Sequence, residues 1–286
     1  MTTSISSGWP APAKLNLFLH ITGRRADGYH LLQTLFQFLD YDDSMDFEIR
    51  DDAKITRPRG SQHVTEADDL VVRAAYLLQE HTKCNQGVAI HVHKRLPEGG
   101  GLGGGSSDAA TTLVALNRLW GVGLRLQELT RLGMELGADV PLFIMGQAAW
   151  AEGIGELLTP VAPAEPWYLV IQPACKILTR EIYQAPELTR NTAAITMTGF
   201  YAGETRNDFE PLVRKRYPAV AEALDWLGQR APARLTGSGA CVFGSFDQER
   251  AARRALEDLP KGWRGFIARG RNRSPLLDRL AMARDR

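Results

Sequence analysis

The chain has 286 residues, enough for two domains of ordinary size, and 44% of them are hydrophobic, so it can bury a core without disulfide bonds. Its 34 basic and 33 acidic residues leave a net charge of +1, which argues against a large electrostatic interface with nucleic acid or an anionic membrane. The three scattered cysteines have no metal-site spacing, and no apolar run approaches the roughly 18 residues of a membrane span, so we expect a soluble cytoplasmic protein.

The hydrophobic pattern predicts alternating strands and helices in the first half of the chain. Strands are expected over residues 14–21, 31–39, 45–50 and 88–94, and helices over residues 70–81, 108–120 and 126–136. Gly137 can end the last of these helices. Asp139, which is followed closely by Pro141, is therefore expected in a tight, non-helical connection.

The second half begins with a predicted hinge. Three prolines within residues 159–166 suggest a boundary between domains of residues 1–158 and 159–286. Strands are expected over residues 167–171, 242–246 and 265–269, and helices over residues 248–259 and 211–227, the latter interrupted near Pro218 and ended by Gly228. Residues 189–205 are expected to be irregular. This alternation predicts an α/β or α+β protein.

Six glycines in the seven positions 99–105, interrupted only by Leu102, are the most informative feature of the chain. Structured proteins concentrate glycine where the backbone takes a positive φ or closely approaches another group. The run lies between a predicted strand and a predicted helix, with Ser106 or Ser107 available as N-cap and Asp108 in the first turn. Because a loop that opens a helix directs free N–H groups outward, we predict a phosphate cradle rather than a flexible linker.

The common nucleotide-binding loops do not fit this run. No lysine follows Gly105, as a Walker A loop requires. The G-x-G-x-x-G match at Gly99, Gly101 and Gly104 lies far from the first strand and lacks a suitably placed acid about 20 residues on. The His-Arg-Asp and Asp-Phe-Gly markers of protein kinases are missing from the sequence.

The run from Leu96 to Ala110 instead resembles the nucleotide loop of the GHMP small-molecule kinases, which include galactokinase, homoserine kinase and mevalonate kinase. Residues 12–19 are similar to the first motif of this family and residues 234–243 to its third, and the resemblance runs from about Trp9 to about Leu277. It implies an α+β fold with a ribosomal-protein-S5-like N-terminal domain and a ferredoxin-like C-terminal domain.

The resemblance also implies an ATP-dependent phosphoryl transfer. Lys14 would stabilise charge near the transferred group, and Asp139 would orient the acceptor hydroxyl and take its proton. Mg²⁺ would accompany ATP, bound mainly through phosphate oxygens and water. The residues that the family pattern assigns to ATP are Lys94, Leu96, Pro97, Gly99, Gly100, Gly101, Leu102, Gly103, Gly104, Gly105, Ser106 and Ser107.

Residues 21–30 and 137–141 are similar to those of one member of the family, whose acceptor carries a cytosine base on a diphosphate-linked erythritol. The resemblance implies that Tyr29 and Tyr183 stack on the base and that His30 hydrogen-bonds its edge. The remaining residues expected at the acceptor are Asn16, Asp139, Thr179, Gly237 and Ser238.

No protein metal ligand is assigned. Ser107 could contact Mg²⁺ by analogy with relatives, but no second acidic ligand can be named from the sequence. His91 and His93 alternate along a predicted strand without a third ligand nearby, which favours an ordinary strand face over a metal site.

Two alternatives remain open. One is another GHMP kinase, acting on mevalonate, homoserine or a sugar. The other is a nucleotide-binding regulator that has lost catalysis, which the presence of Lys14 and Asp139 disfavours. In each case we expect small-molecule partners only, without nucleic acid or membrane, and a monomer or weak homodimer.

Overall fold

Two long antiparallel strands organise the fold. In the computed structural model, which describes residues 5–282, β1 (Ile5–Arg24) pairs with β2 (His30–Arg50) along most of its length. The pairing register shifts at four places, one of them between Pro12 and Lys14. Because such a bulge bends a strand and redirects its side chains, it helps to set the direction of the residues that follow it.

The remaining elements alternate along the chain. The strands are β3 (Ile55–Arg59), β4 (Gly87–His93), β5 (Ala149–Glu152), β6 (Leu157–Pro160), β7 (Trp167–Gln172), β8 (Ala233–Leu235), β9 (Val242–Phe246) and β10 (Arg264–Arg271). The helices are α1 (Leu70–Thr82), α2 (Gly104–Leu119), α3 (Leu126–Leu136), α4 (Val140–Met145), α5 (Thr179–Gln184), α6 (Met197–Tyr201), α7 (Glu210–Arg216), α8 (Pro218–Gly228), α9 (Glu249–Glu257) and α10 (Pro275–Met282).

The strands join in the order β3-β4-β2-β10-β7-β9-β8. In addition, β1 pairs with residues 30–48 of β2, β5 pairs with residues 34–36 of β2, and β6 pairs with β5. Strand β10 connects the two halves of the chain. Its residues 264–269 pair with β7, and its end, Gly270 and Arg271, pairs with Leu39 and Phe38 of β2. The sheet is therefore continuous from the N-terminal to the C-terminal half.

Each half has its own hydrophobic core, and β1 contributes to both. The first core packs buried residues such as Trp9, Phe47 and Phe143 from the long strands and helices α1 to α4. The second core lies around β7, β9, α7 and α8, and it includes Leu19 and Ile21 from the C-terminal end of β1. Strand β1 thus spans both cores, and its two ends contribute side chains to different ones.

The α+β fold class is confirmed, and so are the helices predicted over residues 70–81 and 126–136 and the break at Pro218. The strands predicted over residues 31–39 and 45–50 are wrong as separate elements, because β2 continues through both. The acidic residues between them resemble a turn in sequence. Asp43 is nevertheless fully buried, and its carboxylate accepts the backbone N–H groups of Arg95 and Leu96.

The start of α2 also differs from the prediction. The helix begins at Gly104, and its N-cap is Gly103, with φ of +74° and no capping side chain, rather than Ser106 or Ser107. Glycine takes this left-handed conformation without the strain that a side chain would add. Without a side-chain cap, the first N–H groups of the helix stay available to a ligand.

The remaining differences concern short elements. Helix α4 and strands β5 and β6 escape prediction because four to six residues carry little periodicity. Helix α6 lies inside the segment expected to be irregular. The predicted hinge starts within β6 and continues as irregular chain to β7. Gly137 ends α3 in an extended conformation, with φ of 169°, rather than a left-handed one.

No helix within residues 5–282 is both long enough and apolar enough to cross a membrane.

Replacing Phe47 by alanine should lower the free energy of unfolding by about 3–5 kcal/mol, because it leaves a cavity in the first core. Urea denaturation followed by circular dichroism measures the change. Leu157, whose side chain is largely exposed, provides the control, and Leu157→Ala should change stability little. Equal losses for the two variants would contradict the core assignment.

Candidate active site

The glycine run folds into a loop between β4 and α2, with positive φ values at Gly99, Gly101 and Gly103. The loop packs against the turn at residues 236–241. The N–H groups of Ala240 and Cys241 donate to the carbonyl oxygens of Gly99 and Gly100 at 3.3 and 3.2 Å. A Cβ atom at Gly101 would lie only 2.2 Å from the carbonyl oxygen of Thr236 in that turn. Glycine is therefore required at this position both by conformation and by close approach.

A cavity of about 390 Å³, which we call the donor cavity, lies beside this loop. Its lining includes Gly103, Gly104 and Gly105, at the first turn of α2. The free N–H groups of that turn and the positive end of the helix dipole favour an anionic ligand. The lining residues are Ser61, Val64, Asp68, Asp69, Leu70, Val71, Val92, Lys94, Pro97, Glu98, Gly99, Gly100, Gly101, Leu102, Gly103, Gly104, Gly105, Ser106 and Asp108.

Lys94 lines the donor cavity, but its charge is compensated within the protein. Its Nζ lies 2.5 Å from Asp43 Oδ2 and 2.8 Å from Asp108 Oδ2. Burial opposes the charged form of Lys94, but the two carboxylates outweigh burial and raise its pKa. Burial also raises the pKa of Asp108, and Oδ1 of this residue has no hydrogen-bond partner. This cluster suits an uncharged, hydrogen-bonding part of a ligand better than a phosphate group.

Two of the residues predicted to bind ATP do not line the donor cavity. Leu96 is buried and packs against the loop from inside. Ser107 is fully buried within α2, and its hydroxyl has no hydrogen-bond partner. Both lie next to residues that do line the cavity.

Lys14 and Asp139 form the central ion pair of the site. Lys14 Nζ lies 3.4 Å from Asp139 Oδ2 and donates to Asn16 Oδ1 at 2.6 Å. The side chain of Lys14 is 5% exposed and that of Asp139 is 34% exposed, so the carboxylate is the accessible partner. Asn16 in turn donates to Thr34 Oγ1 at 2.9 Å. This network fixes the ammonium group and leaves the carboxylate open to a ligand.

The local fold explains why these two residues meet. Lys14 and Asn16 are two residues apart on β1, so their side chains lie on the same face of the strand, and the Lys14 N–H donates to the Leu102 carbonyl oxygen at 3.0 Å. Asp139 is the residue immediately before α4 and follows the end of α3 at Gly137. The tight, non-helical connection predicted for Asp139 is confirmed.

A second cavity of about 390 Å³, the acceptor cavity, contains the ion pair. It shares Gly101, Gly103 and Ser106 with the donor cavity, so ligands in the two cavities would meet at the glycine loop. The residues that line it are Lys14, Asn16, Leu19, Leu32, Thr34, Phe36, Gly101, Gly103, Ser106, Ala138, Asp139, Ile154, Gly155, Thr179, Tyr183, Phe209, Gly237 and Ser238.

A third cavity of about 470 Å³, the aromatic cavity, continues from the acceptor cavity. Tyr29, His30 and Tyr183 line it, and Tyr183 also lines the acceptor cavity. The Tyr183 ring lies 4.9 Å from the His30 ring, tilted by 33°, and 4.9 Å edge-on from Phe209. Tyr29 is 61% exposed, so it remains free to contact a planar ligand.

The structure brings together most of the residues expected from sequence. Thr179 and Ser238 meet at 2.7 Å between their hydroxyl oxygens, on the wall of the acceptor cavity that also contains Gly237. Arg190, however, was missed, although its guanidinium donates to His30 Nε2 at 3.0 Å. It lies in the segment expected to be irregular, and an isolated arginine there carries no signal in the sequence.

The arrangement combines an anion cradle, a carboxylate beside a buried ammonium group, and an aromatic cavity in one continuous groove. Such a groove can hold two ligands with their reactive ends at the glycine loop. Within residues 5–282, no group of three or more histidine, cysteine, aspartate or glutamate residues is placed to hold a metal ion. His91 and His93 are two residues apart on β4. His93 Nε2 lies 2.9 Å from Asp46 Oδ2.

Two family models and several known proteins match the chain. The family model described as the GHMP kinases N terminal domain matches residues 69–147, and that described as GHMP kinases C terminal matches residues 191–265. The chain is 57% identical over 272 residues to 4-diphosphocytidyl-2-C-methyl-D-erythritol kinase of Nitrosococcus oceani, covering 95% of this chain and 97% of that protein. It is 56% identical over 282 residues to the kinase of the same name from Alkalilimnicola ehrlichii, covering 99% and 97%.

Solved structures show the same similarity. A crystal structure of 4-(cytidine 5'-diphospho)-2C-methyl-D-erythritol kinase has a TM-score of 0.79 and 32% identity, covering 93% of this chain and 99% of that one. The mevalonate kinase of Methanococcus jannaschii has a TM-score of 0.69 and 16% identity, covering 95% and 99%, and at this identity it shows the fold alone.

Replacing Gly101 by alanine should disrupt the loop and weaken ATP binding by more than tenfold, because the added Cβ collides with the Thr236 carbonyl oxygen. Isothermal titration calorimetry with ATP measures the effect.

Gly121 provides a matched control for this substitution, since it also has a positive φ but nothing within 4 Å of an added Cβ. Gly121→Ala should cost about 1–2 kcal/mol of stability and leave ATP affinity unchanged. Unchanged affinity in Gly101→Ala would contradict the role assigned to the loop.

Proposed function

The chain belongs to the GHMP kinase family, and from that premise we propose that it transfers the γ-phosphoryl group of ATP to the 2-hydroxyl group of 4-diphosphocytidyl-2-C-methyl-D-erythritol. The product would be an intermediate of the non-mevalonate route to isoprenoid precursors. The observation that carries this proposal is the position of the Lys14–Asp139 pair, in the acceptor cavity that shares the glycine loop with the donor cavity.

The donor cavity fits the two ends of ATP differently. Its glycine-lined part, at the first turn of α2, offers N–H groups to the phosphates. The cluster of Lys94, Asp43 and Asp108 offers donors and acceptors without a free positive charge, and it suits the adenine base. ATP would then lie with its base near Lys94 and its γ-phosphoryl group toward Lys14.

Phosphoryl transfer in this groove needs one proton acceptor and one stabilising cation. The acceptor hydroxyl oxygen bonds to the γ-phosphorus, the bond from that phosphorus to the oxygen of ADP breaks, and the hydroxyl proton passes to a carboxylate oxygen of Asp139. Lys14 is held 3.4 Å from Asp139 by its bond to Asn16, and its charge stabilises the negative charge of the transferred group.

The acceptor would occupy two joined cavities. Its cytosine fits the aromatic cavity, where Tyr29 and Tyr183 can contact the ring faces and His30 its edge. Burial raises the pKa of Tyr183, so its phenol stays neutral there. Its diphosphate and erythritol parts would contact Asn16, Thr179, Gly237 and Ser238, which line the acceptor cavity.

Mg²⁺ fits this site as part of its complex with ATP. The described residues offer no group of three or more histidine, cysteine, aspartate or glutamate ligands, and phosphate oxygens and water would supply most of its coordination. Asp139 is the accessible carboxylate beside the loop and could hold one of these waters. The ion supplies charge neutralisation on the phosphates.

We propose small molecules as the protein's only partners and a monomer or weak homodimer as its working state, with domains of residues 1–158 and 159–286. The cytoplasm is the setting that we propose, and the three free thiols of Cys84, Cys175 and Cys241 suit a reducing compartment.

A coupled assay of ADP release over a panel of acceptors tests the substrate assignment. The cytidyl compound should give the highest kcat/KM, since mevalonate and homoserine have no base for the aromatic cavity. Comparable turnover of mevalonate or homoserine would contradict the proposal. ATP hydrolysis at the same rate with and without any acceptor would contradict it as well.

Replacing Asp139 by asparagine should lower kcat by about 10²–10⁴-fold, because the amide cannot take the hydroxyl proton. The KM values for both substrates should change little. Asp225, an exposed residue that pairs with Arg214, is the matched control, and Asp225→Asn should retain full activity. A kcat near that of the unmodified enzyme in Asp139→Asn would overturn the assigned role.

Replacing Tyr29 by alanine should raise KM for the cytidyl substrate about 5- to 150-fold, which corresponds to the loss of about 1–3 kcal/mol of stacking. KM for ATP should stay the same. The control is Tyr76→Ala, which removes an exposed tyrosine from α1. Equal increases in both KM values would show that Tyr29 does not belong to a separate base-binding cavity.

A further inference from the structure

Arg190 donates five hydrogen bonds from its guanidinium, all to His30 and to the neighbouring segment 183–188. Besides the bond from Nε to His30 Nε2, it makes four bonds to backbone carbonyl oxygens of the segment 183–188. Nη1 donates to Pro186 and Leu188 at 3.4 and 3.0 Å, and Nη2 donates to Tyr183 and Ala185 at 3.0 and 2.6 Å. Arginine has five such donors, so its orientation is fixed completely.

This contact determines the protonation state of His30. A guanidinium has no acceptor, so the ring nitrogen that faces it must carry a lone pair. A histidine with a lone pair at Nε2 is neutral, and its proton lies on Nδ1. Within residues 5–282, Nδ1 of His30 makes no hydrogen bond to the protein, so its N–H is available to a ligand of the aromatic cavity.

The surroundings of His30 support the neutral form. Burial lowers the pKa of His30, and the positive charges of Arg190 and Arg24 lower it further. The neighbouring Tyr183 ring carries no charge, and the cavity wall also holds Asp27 and Arg180. At neutral pH the ring is therefore a donor through Nδ1 and cannot act as a cation.

We propose that Arg190 is a positioning residue for base recognition. It holds His30 as the Nδ1–H tautomer, and its bond to the Tyr183 carbonyl oxygen fixes the position of Tyr183 relative to His30 in the aromatic cavity. This inference rests on the proposed function, because a pyrimidine is the ligand that would use the donor. Cytosine presents acceptors at N3 and O2, whereas N3 of uracil carries a proton. A fixed donor at Nδ1 that meets N3 therefore favours cytosine over uracil.

The tautomer can be measured directly. In a two-bond ¹⁵N–¹H correlation spectrum of the histidine rings, His30 of the unmodified protein should show the Nδ1–H pattern, and His30→Asn identifies its signals. Arg190→Met removes every donor from the residue, so His30 should shift toward the Nε2–H tautomer that predominates in free histidine, and its pKa should rise toward the ordinary value. Arg190→Lys keeps a donor and a charge and should retain the Nδ1–H tautomer.

Kinetics connect the tautomer to recognition. Arg190→Met should raise KM for the cytidyl substrate about tenfold, the scale of one lost hydrogen bond, with kcat and KM for ATP little changed. Arg190→Lys should restore most of that affinity. Combining Arg190→Met with His30→Asn should add little to the effect of His30→Asn alone. The matched control is Arg216→Ala, since Arg216 is a half-exposed arginine that pairs with Glu187 in the same region.

The outcomes separate this inference from the proposed function. If the unmodified protein does not phosphorylate the cytidyl compound, the proposed function fails, whatever the tautomer. If it does, but His30 shows the Nε2–H pattern or keeps the same tautomer in Arg190→Met, the role of Arg190 is overturned. Additive effects of the two substitutions would also overturn it, because Arg190 would then act independently of His30.

Discussion

The close packing of the glycine loop against the turn at residues 236–241 is the contact on which the site depends. It joins a loop from the N-terminal half to a turn from the C-terminal half, mainly through backbone hydrogen bonds, with one further bond from the Thr236 hydroxyl to the Gly101 carbonyl oxygen. At Gly101 the backbones approach so closely that no side chain fits. The same contact places the first turn of α2 beside one cavity and the residues that follow Thr236 beside another. The donor cavity and the acceptor cavity therefore share one wall.

Strand β1 supplies the lysine that lies beside this contact. It runs from the first core into the second, and midway it presents Lys14 to the inside of the groove. A buried ammonium is unfavourable unless it is paired, and here Asn16 and Asp139 supply the partners. The more exposed Asp139 keeps an oxygen for a ligand. The ion pair that compensates the buried charge of Lys14 thus also places an accessible carboxylate, that of Asp139, beside the glycine loop.

The two ends of the groove show a similar use of compensated charge. At one end, Lys94 is neutralised by Asp43 and Asp108, and at the other Arg190 spends its donors on backbone carbonyls and His30. Neither cation is left free for a phosphate. Both clusters therefore suit the uncharged bases that the proposed substrates carry.

The sequence by itself determined the motifs and much of the order of elements. The glycine run predicts an anion-binding loop from its neighbours along the chain, and α1, α3 and the break at Pro218 follow from periodicity and from proline. The roles expected of Lys14 and Asp139 came from the resemblance to the GHMP kinases, because a single lysine or aspartate carries no such signal. Prediction failed where the deciding contact was distant. Residues around Asp43 resemble a turn but continue β2, because Lys94 and the backbone at Arg95 and Leu96 compensate the buried carboxylate.

Only the tertiary structure decided the start of α2, the burial of Ser107 and the contacts of Arg190. The N-cap of α2 is Gly103 and not a serine, because the chain takes a left-handed conformation at this position. Arg190 hydrogen-bonds to His30, which lies 160 residues away along the chain. Local sequence records conformational preference, whereas burial and hydrogen-bond partners depend on chain segments that only folding brings together.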